Sequence, residues 1–83
     1  MAITVKYFAR LREALRTNEE SLALSPTWPT IGALRQALAA RGEPWGALLG
    51  ADIQCARNGE LASDDTPLTD GDEIAFFPPV TGG

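Results

Sequence analysis

Apolar and polar positions alternate along this chain with two different periods. From residue 3 to residue 8 every second residue is apolar, which predicts a strand with one buried face. Between residues 31 and 41 the apolar positions recur every three to four residues, which predicts a helix with one apolar stripe. The stripe comprises Ile31, Leu34, Ala37, Leu38 and Arg41. Thr30 is a suitable N-cap for this helix, and Gly42 suits the position just after its end.

Shorter signals complete the order of elements. A short helix is predicted over residues 11–16, and another runs from Pro44 to Leu49. Further strands are predicted over residues 21–24, 53–57, 60–62 and 73–77. Asn58-Gly59 is a strong two-residue hairpin signal, and Asp70-Gly71-Asp72 predicts a turn before the last strand.

The order of these elements predicts the fold class. Strands and helices segregate, which indicates an α+β domain with a mixed sheet of about five strands packed on one main helix. The first and last strands are the most apolar, so we place them in the centre of the sheet. This is the ubiquitin-like β-grasp arrangement. We expect residues 1–77 to form that domain and residues 78–83 to form a flexible C-terminal tail.

Composition narrows the class of protein. The chain has 83 residues and 45% hydrophobic content, which fits one small folded domain. Its net charge of −4 is uneven, because residues 42–83 carry eight acidic side chains and one basic. There is no basic stripe interleaved with aromatic residues and no long apolar run, so we expect neither nucleic-acid binding nor a membrane span. A single cysteine and the lack of a secretory signal favour the cytoplasm.

Residues capable of internal catalysis are scarce. The chain has no histidine, and we expect Cys55, its one cysteine, to be a buried structural thiol. Asp70, Asp72 and Glu73 lack the preceding acidic residues of a calcium loop, so a turn is the better interpretation. We therefore expect neither a metal site nor a bound cofactor.

The last six residues carry the clearest functional signal. Pro78 and Pro79 favour an extended backbone, and the glycines add no side chain. Such a tail can enter a narrow channel and present the carboxylate of Gly83 at its far end. We therefore expect Gly83 to be the working group and the threading segment to comprise Pro78, Pro79, Val80, Thr81 and Gly82.

Three apolar residues are predicted on the solvent side of the sheet. If Ile3, Val5 and Tyr7 face the helix, then Phe8 and Phe77 face water, and Leu61 beside the hairpin joins them. An exposed apolar patch on so small a domain indicates a surface that binds a partner. The alternative is that a loop or the short helix covers these side chains.

The two ends of the chain resemble a known family, the small subunits of molybdopterin synthase, which are ubiquitin-like sulfur carriers. At the C-terminus the resemblance rests on Asp70-Gly71-Asp72-Glu73-Ile74-Ala75-Phe76-Phe77-Pro78-Pro79-Val80-Thr81-Gly82-Gly83. Near the N-terminus it rests on Phe8-Ala9 followed by Leu11-Arg12-Glu13. The length also fits this family.

The resemblance implies a mechanism and partners. An adenylating enzyme would use ATP to convert the Gly83 carboxylate into an acyl-adenylate, and a sulfur donor would then form a terminal thiocarboxylate. Through Phe8, Leu61 and Phe77 the carrier would dock on the synthase large subunit, in an assembly with two copies of each. The active site on that subunit would transfer the sulfur to a cyclic pyranopterin, and the carrier alone would not be an enzyme.

Three other functions remain open from the sequence. The chain could carry sulfur for another pathway, such as the synthesis of the thiamin thiazole ring. It could be a protein modifier in which Gly83 forms an isopeptide bond with a lysine. It could also be an interaction module whose tail has no chemical role.

Overall fold

Residues 1–79 fold into five strands and two α-helices with a short 3₁₀ helix. In the computed structural model, which describes residues 1–79, the order is β1 (Ala2–Tyr7), α1 (Ala9–Leu15), β2 (Glu19–Ala23), α2 (Ile31–Ala39), a 3₁₀ helix (Trp45–Leu49), β3 (Gln54–Arg57), β4 (Glu60–Ala62) and β5 (Glu73–Phe77). Every predicted strand and helix is present, with ends that shift by one or two residues in most cases.

All five strands form a single mixed sheet in the order β2-β1-β5-β3-β4. The central pair, β1 and β5, is parallel, whereas the other neighbouring strands are antiparallel. The two strands predicted to be central are therefore adjacent and flanked on both sides. The predicted α+β class, with a mixed sheet packed on one main helix, is confirmed.

The core lies between one face of the sheet and the helices. Tyr7 and Phe76 are paired across β1 and β5, and both are fully buried. Their rings are stacked with centroids 6.4 Å apart, and Trp45 of the 3₁₀ helix packs edge-on against Tyr7 at 5.5 Å. The apolar side of α2 covers this layer with Ile31, Leu34 and Leu38.

The main helix is shorter than predicted, and its stripe is narrower. Thr30 caps it as expected, because the Thr30 hydroxyl accepts a hydrogen bond from the Ala33 N–H at 3.3 Å. At about 100° per residue, Ala37 lies roughly 120° around the helix from Ile31, which explains why it is exposed and not in the core. Arg41 lies beyond the end of α2, where its guanidinium stacks 4.4 Å over the Trp45 ring.

The predicted division between domain and tail falls at the end of β5. That strand ends at Phe77, Pro78 is half-buried and Pro79 is exposed. The rest of the predicted tail, Val80, Thr81, Gly82 and Gly83, lies outside the described residues. The division therefore stays a prediction. Within residues 1–79, no helix has the length and apolar character needed to cross a bilayer.

Candidate docking face and tail exit

On the solvent side of the sheet, a strip of apolar side chains crosses three strands, and two of the three are the small side chains of alanine. Ala75 of β5 pairs with Ala56 of β3, which in turn pairs with Leu61 of β4. The two alanines are half-buried, whereas Leu61 is 74% exposed. Because the alanine side chains are small, a partner can approach the backbone closely between Leu61 and the centre of the sheet.

Phe8 and Phe77 stand at one end of this strip. The Phe8 N–H donates to the Phe76 carbonyl at 3.2 Å, so the parallel ladder continues one residue past Tyr7 and brings Phe8 beside Phe77. Phe8 is 44% exposed, and Phe77 is half-buried. We call Phe8, Ala56, Leu61, Ala75 and Phe77 the docking face.

The docking face brings the three predicted partner residues to one side of the sheet. Phe8 and Leu61 face solvent as predicted, whereas Phe77 does so only in part. Leu61 lies two strands away from Phe77, roughly 10 Å across the sheet. Their role in binding a partner stays a prediction.

A sharp backbone turn separates Phe8 from the helix that follows. Phe8 is extended, with φ −125° and ψ 157°, and α1 begins at the next residue, Ala9, with a positive φ of 54°. The Phe8 carbonyl accepts hydrogen bonds from the Leu11 and Arg12 N–H groups at 3.2 and 3.4 Å. Strand β1 was predicted to include Phe8 and α1 to begin at residue 11. Strand β1 ends one residue earlier, at Tyr7, although Phe8 is still extended. Helix α1 begins two residues earlier than predicted, because this turn starts it at Ala9.

The tail leaves the domain from the central strand. Phe77 is the last residue of β5 and pairs with Gln54 of β3. Pro78 has no N–H with which to extend the ladder, so the chain leaves the sheet there. Because β1 and β5 are parallel, this exit lies at the same end of the sheet as Phe8.

A buried carboxylate fixes the opposite end of β5. Asp72 is 4% exposed and accepts hydrogen bonds from the Arg57 Nε at 2.8 Å, the Thr69 N–H at 2.8 Å, the Asn58 amide at 3.0 Å and the Thr69 hydroxyl at 3.1 Å. Burial alone would raise the pKa of Asp72, but these donors outweigh it and hold the pKa well below its usual value. The carboxylate thus ties the β3–β4 hairpin, which carries Leu61, to the start of β5.

Sequence reasoning identified the turn at Asp70–Asp72 but not this cluster. Its partners come from the hairpin and from the loop before β5, 3 to 15 residues from Asp72. The sequence signals that lie at this cluster are the Asn58-Gly59 hairpin turn and the acidic turn Asp70-Gly71-Asp72 before the next strand. No local pattern shows that the two turns meet.

Two ion pairs border the docking face and the tail exit. Lys6 and Glu73 pair across β1 and β5 at 3.2 Å on the solvent side of the sheet. Arg10 of α1 pairs with Asp52, which precedes β3. Exposed pairs of this kind contribute little to stability, but they border the apolar surface with charge.

Cys55 holds the one thiol of the chain. Cys55 is buried as predicted and donates to the Ala62 carbonyl at 3.4 Å, and burial raises the pKa of its thiol. In the 1–79 range, no cluster of three or more histidine, cysteine or acidic side chains could hold a metal ion. This part of the chain presents an exposed apolar face and the point at which the chain leaves the sheet.

The fold and its exposed face define the class of protein. A mixed five-stranded sheet with a parallel central pair, packed on one main helix, is the ubiquitin-like β-grasp fold. The sequence profile of the ThiS family matches residues 5–83. The chain therefore belongs to the ThiS family.

Known proteins similar to this chain agree with that assignment. It is 49% identical to the molybdopterin synthase sulfur carrier subunit of Escherichia coli (strain K12), over 98% of this chain and 99% of the relative. A chain in the complex of subunits 1 and 2 of the molybdopterin-converting factor from Helicobacter pylori matches with a TM-score of 0.70 and 28% identity, over 100% of both chains. The resemblance to the small subunits of molybdopterin synthase is confirmed.

One further solved structure belongs to a differently named protein. Small archaeal modifier protein 1 from Methanosarcina acetivorans matches with a TM-score of 0.76 and 27% identity, over 99% of this chain and 96% of that one. The fold alone therefore does not separate carriers from modifiers.

Proposed function

We propose that this chain is the sulfur carrier of a molybdopterin synthase and acts in the synthesis of the molybdenum cofactor. The observation that supports this proposal best is the 49% identity, over nearly the whole of both chains, to a relative with that name. The exposed docking face and the tail exit beside it fit a protein whose chemistry takes place inside a partner. A cytoplasmic location is part of the same proposal.

The proposed chemistry uses the carboxylate of Gly83. A carboxylate is a poor electrophile, so an adenylating enzyme first joins it to the AMP portion of ATP and releases pyrophosphate. A donor of sulfur at the sulfide level, HS⁻, then attacks the acyl carbon, and AMP leaves with the electrons of the broken C–O bond. The product is a thiocarboxylate, and ATP is a substrate of the adenylating partner and not a cofactor of this chain.

The proposed acceptor is bound by the large subunit. The docking face would contact that subunit, and the segment Pro78, Pro79, Val80, Thr81 and Gly82 would enter its active site. There the thiocarboxylate would give its sulfur to a cyclic pyranopterin, and water would restore the carboxylate of Gly83. The similarity to a chain from a complex of two converting-factor subunits supports such a partner, and we propose two copies of each.

Mass spectrometry of the intact chain tests this chemistry. The protein is incubated with ATP, a sulfur donor and the adenylating enzyme, and its mass is compared with a control that lacks ATP. We expect a gain equal to the exchange of one oxygen for one sulfur, and no gain in a variant that lacks Gly83. An unchanged mass, with an enzyme that activates a known carrier in parallel, would contradict the proposal.

Glycine at the penultimate position gives a first prediction. The added methyl group in Gly82→Ala is expected to crowd the channel of the large subunit while the domain stays folded. Sulfur transfer from thiocarboxylated Gly82→Ala to the pterin should therefore be slower, with an unchanged melting temperature. Normal transfer by this variant would refute the need for a narrow channel.

Protein modification is the second candidate, because a small archaeal modifier protein is among the similar structures. In that function Gly83 would form an isopeptide bond with a lysine of another protein. An epitope-tagged chain, expressed in cells with an active adenylating enzyme, separates the two functions. Covalent conjugates that disappear when Gly83 is deleted would favour modification, and their absence would favour carriage of sulfur.

A further inference from the structure

The strained residue Ala9 stands directly beside the docking face. Three residues other than glycine have a positive φ in the described part of the chain, namely Ala9, Arg16 and Asn58. Asparagine tolerates this conformation, and Arg16 occupies the end of α1, where left-handed residues are common. Ala9 has neither explanation, because it begins a helix.

The strain at Ala9 allows Phe8 to belong to two elements at once. The Phe8 N–H continues the sheet through its bond to the Phe76 carbonyl, and the Phe8 carbonyl receives the first N–H groups of α1. Both backbone groups of Phe8 are therefore bonded, although the residue as a whole is 44% exposed. Without a positive φ at Ala9, the chain would need more residues between strand and helix, and Phe8 would lie in a loop without these two backbone hydrogen bonds.

From this geometry we infer that Ala9 is a positioning residue that holds Phe8 ready for the partner. The inference rests on the proposed function, since it assigns Phe8 to the surface that meets the large subunit. An aromatic side chain on a backbone fixed from both sides loses less conformational entropy on binding than one on a mobile loop. The left-handed turn costs folding stability and in return improves docking.

Valine substitutions at the two strained positions of α1 test the inference. Ala9 and Arg16 are both exposed and have nearly equal φ values, 54° and 53°. A β-branched residue disfavours positive φ at either position, so Ala9→Val and Arg16→Val carry similar backbone penalties. Only Ala9→Val should displace Phe8. Ala9→Gly keeps the turn accessible and serves as the conservative variant.

The first measurement is made on the free protein, by amide hydrogen exchange at Phe8. We expect Ala9→Val to speed exchange at this amide by about tenfold or more relative to Arg16→Val, because the bond to Phe76 opens locally. If Ala9→Val does not fold, the unbranched variant Ala9→Leu replaces it. Equal protection of the Phe8 amide in all variants would overturn the inference.

The second measurement is the affinity for the large subunit of molybdopterin synthase, at a temperature where every variant is folded. We expect Ala9→Val to weaken binding by about tenfold, with Ala9→Gly and Arg16→Val within about twofold of the original chain. In a Phe8→Ala background, Ala9→Val should cause no further loss. Unchanged affinity of Ala9→Val, or an equal loss in both backgrounds, would overturn the inference.

The two measurements distinguish failure of the proposed function from failure of the inference about Ala9. If the unaltered chain does not bind the large subunit, the proposed function fails. Rapid exchange at Phe8 in Ala9→Val would then still support the positional effect of Ala9, whereas unchanged exchange would refute it.

Discussion

Removal of the Asp72 carboxylate is expected to destabilise the domain strongly. In Asp72→Ala, the Thr69 N–H, the Thr69 hydroxyl and the Asn58 amide each lose their acceptor. These three hydrogen bonds end on an ionised carboxylate, so about 1 kcal/mol for each is a lower value for such bonds. The loss is then at least about 3 kcal/mol, with nothing added for the solvent-accessible guanidinium of Arg57. An 83-residue domain has a total stability of roughly 4–12 kcal/mol, so this is a large fraction of it.

Urea denaturation followed by circular dichroism measures this loss. Asp70→Ala is the matched control, because Asp70 lies in the same turn, is exposed and accepts a single hydrogen bond from the Ala2 N–H. We expect the control to change stability by less than about 0.5 kcal/mol. A loss below about 1 kcal/mol for Asp72→Ala would refute the structural importance of the cluster.

The same cluster predicts how stability depends on pH. The pKa of Asp72 is lower in the folded protein than in the unfolded chain, so the folded state favours the ionised carboxylate. Its contribution is complete above the unfolded pKa, near pH 4, and is lost as the pH falls toward the folded pKa. The stability difference between the original chain and Asp72→Asn should therefore shrink below about pH 4. A constant difference down to pH 2 would contradict this linkage.

Three further predictions concern single side chains. Tyr7→Phe removes the hydroxyl that donates to Glu20 at 2.8 Å and should lower stability by about 1 kcal/mol in thermal unfolding; a higher melting temperature would contradict this. Gly32→Ala would place a Cβ 2.8 Å from the Asp64 Cβ, so the free energy of unfolding should fall by about 1–2 kcal/mol in urea denaturation. A stabilised variant would be evidence against this close contact. Leu61→Ser removes an exposed apolar side chain and should leave the melting temperature nearly unchanged. Calorimetry should show binding to the large subunit weakened by about tenfold. Equal affinity would show that Leu61 does not belong to the docking face.

Most of the fold could be predicted from the sequence because its signals are local. The alternation in β1, the helical period of α2 and the Asn58-Gly59 turn each lie within one element. The apolar character of β1 and β5 was sufficient to place them in the centre. The exposure of Phe8 followed from the same alternation, and that of Leu61 from its place beside the hairpin turn.

The remaining features depend on contacts between distant parts of the chain. Arg41 was assigned to the apolar stripe of α2, but it forms two hydrogen bonds of 3.0 Å to Glu20 of β2 and stacks on Trp45. Arg35 of α2, far from Cys55 in the sequence, opposes the effect of burial on the pKa of this thiol. The turn at Ala9 could not be predicted from the sequence, because the residue with the positive φ is an alanine and not the glycine that usually marks such a turn.

The parallel central pair has a practical consequence for labelling. Met1 is 89% exposed, and the next residue bonds to Asp70 at the start of the turn before β5. The five residues of β5 therefore separate the N-terminus from the tail exit, roughly 17 Å at about 3.3 Å per residue. A fluorophore or affinity handle attached at Met1 would leave the docking face and the tail exit accessible, so binding to a partner can be followed from that end of the molecule.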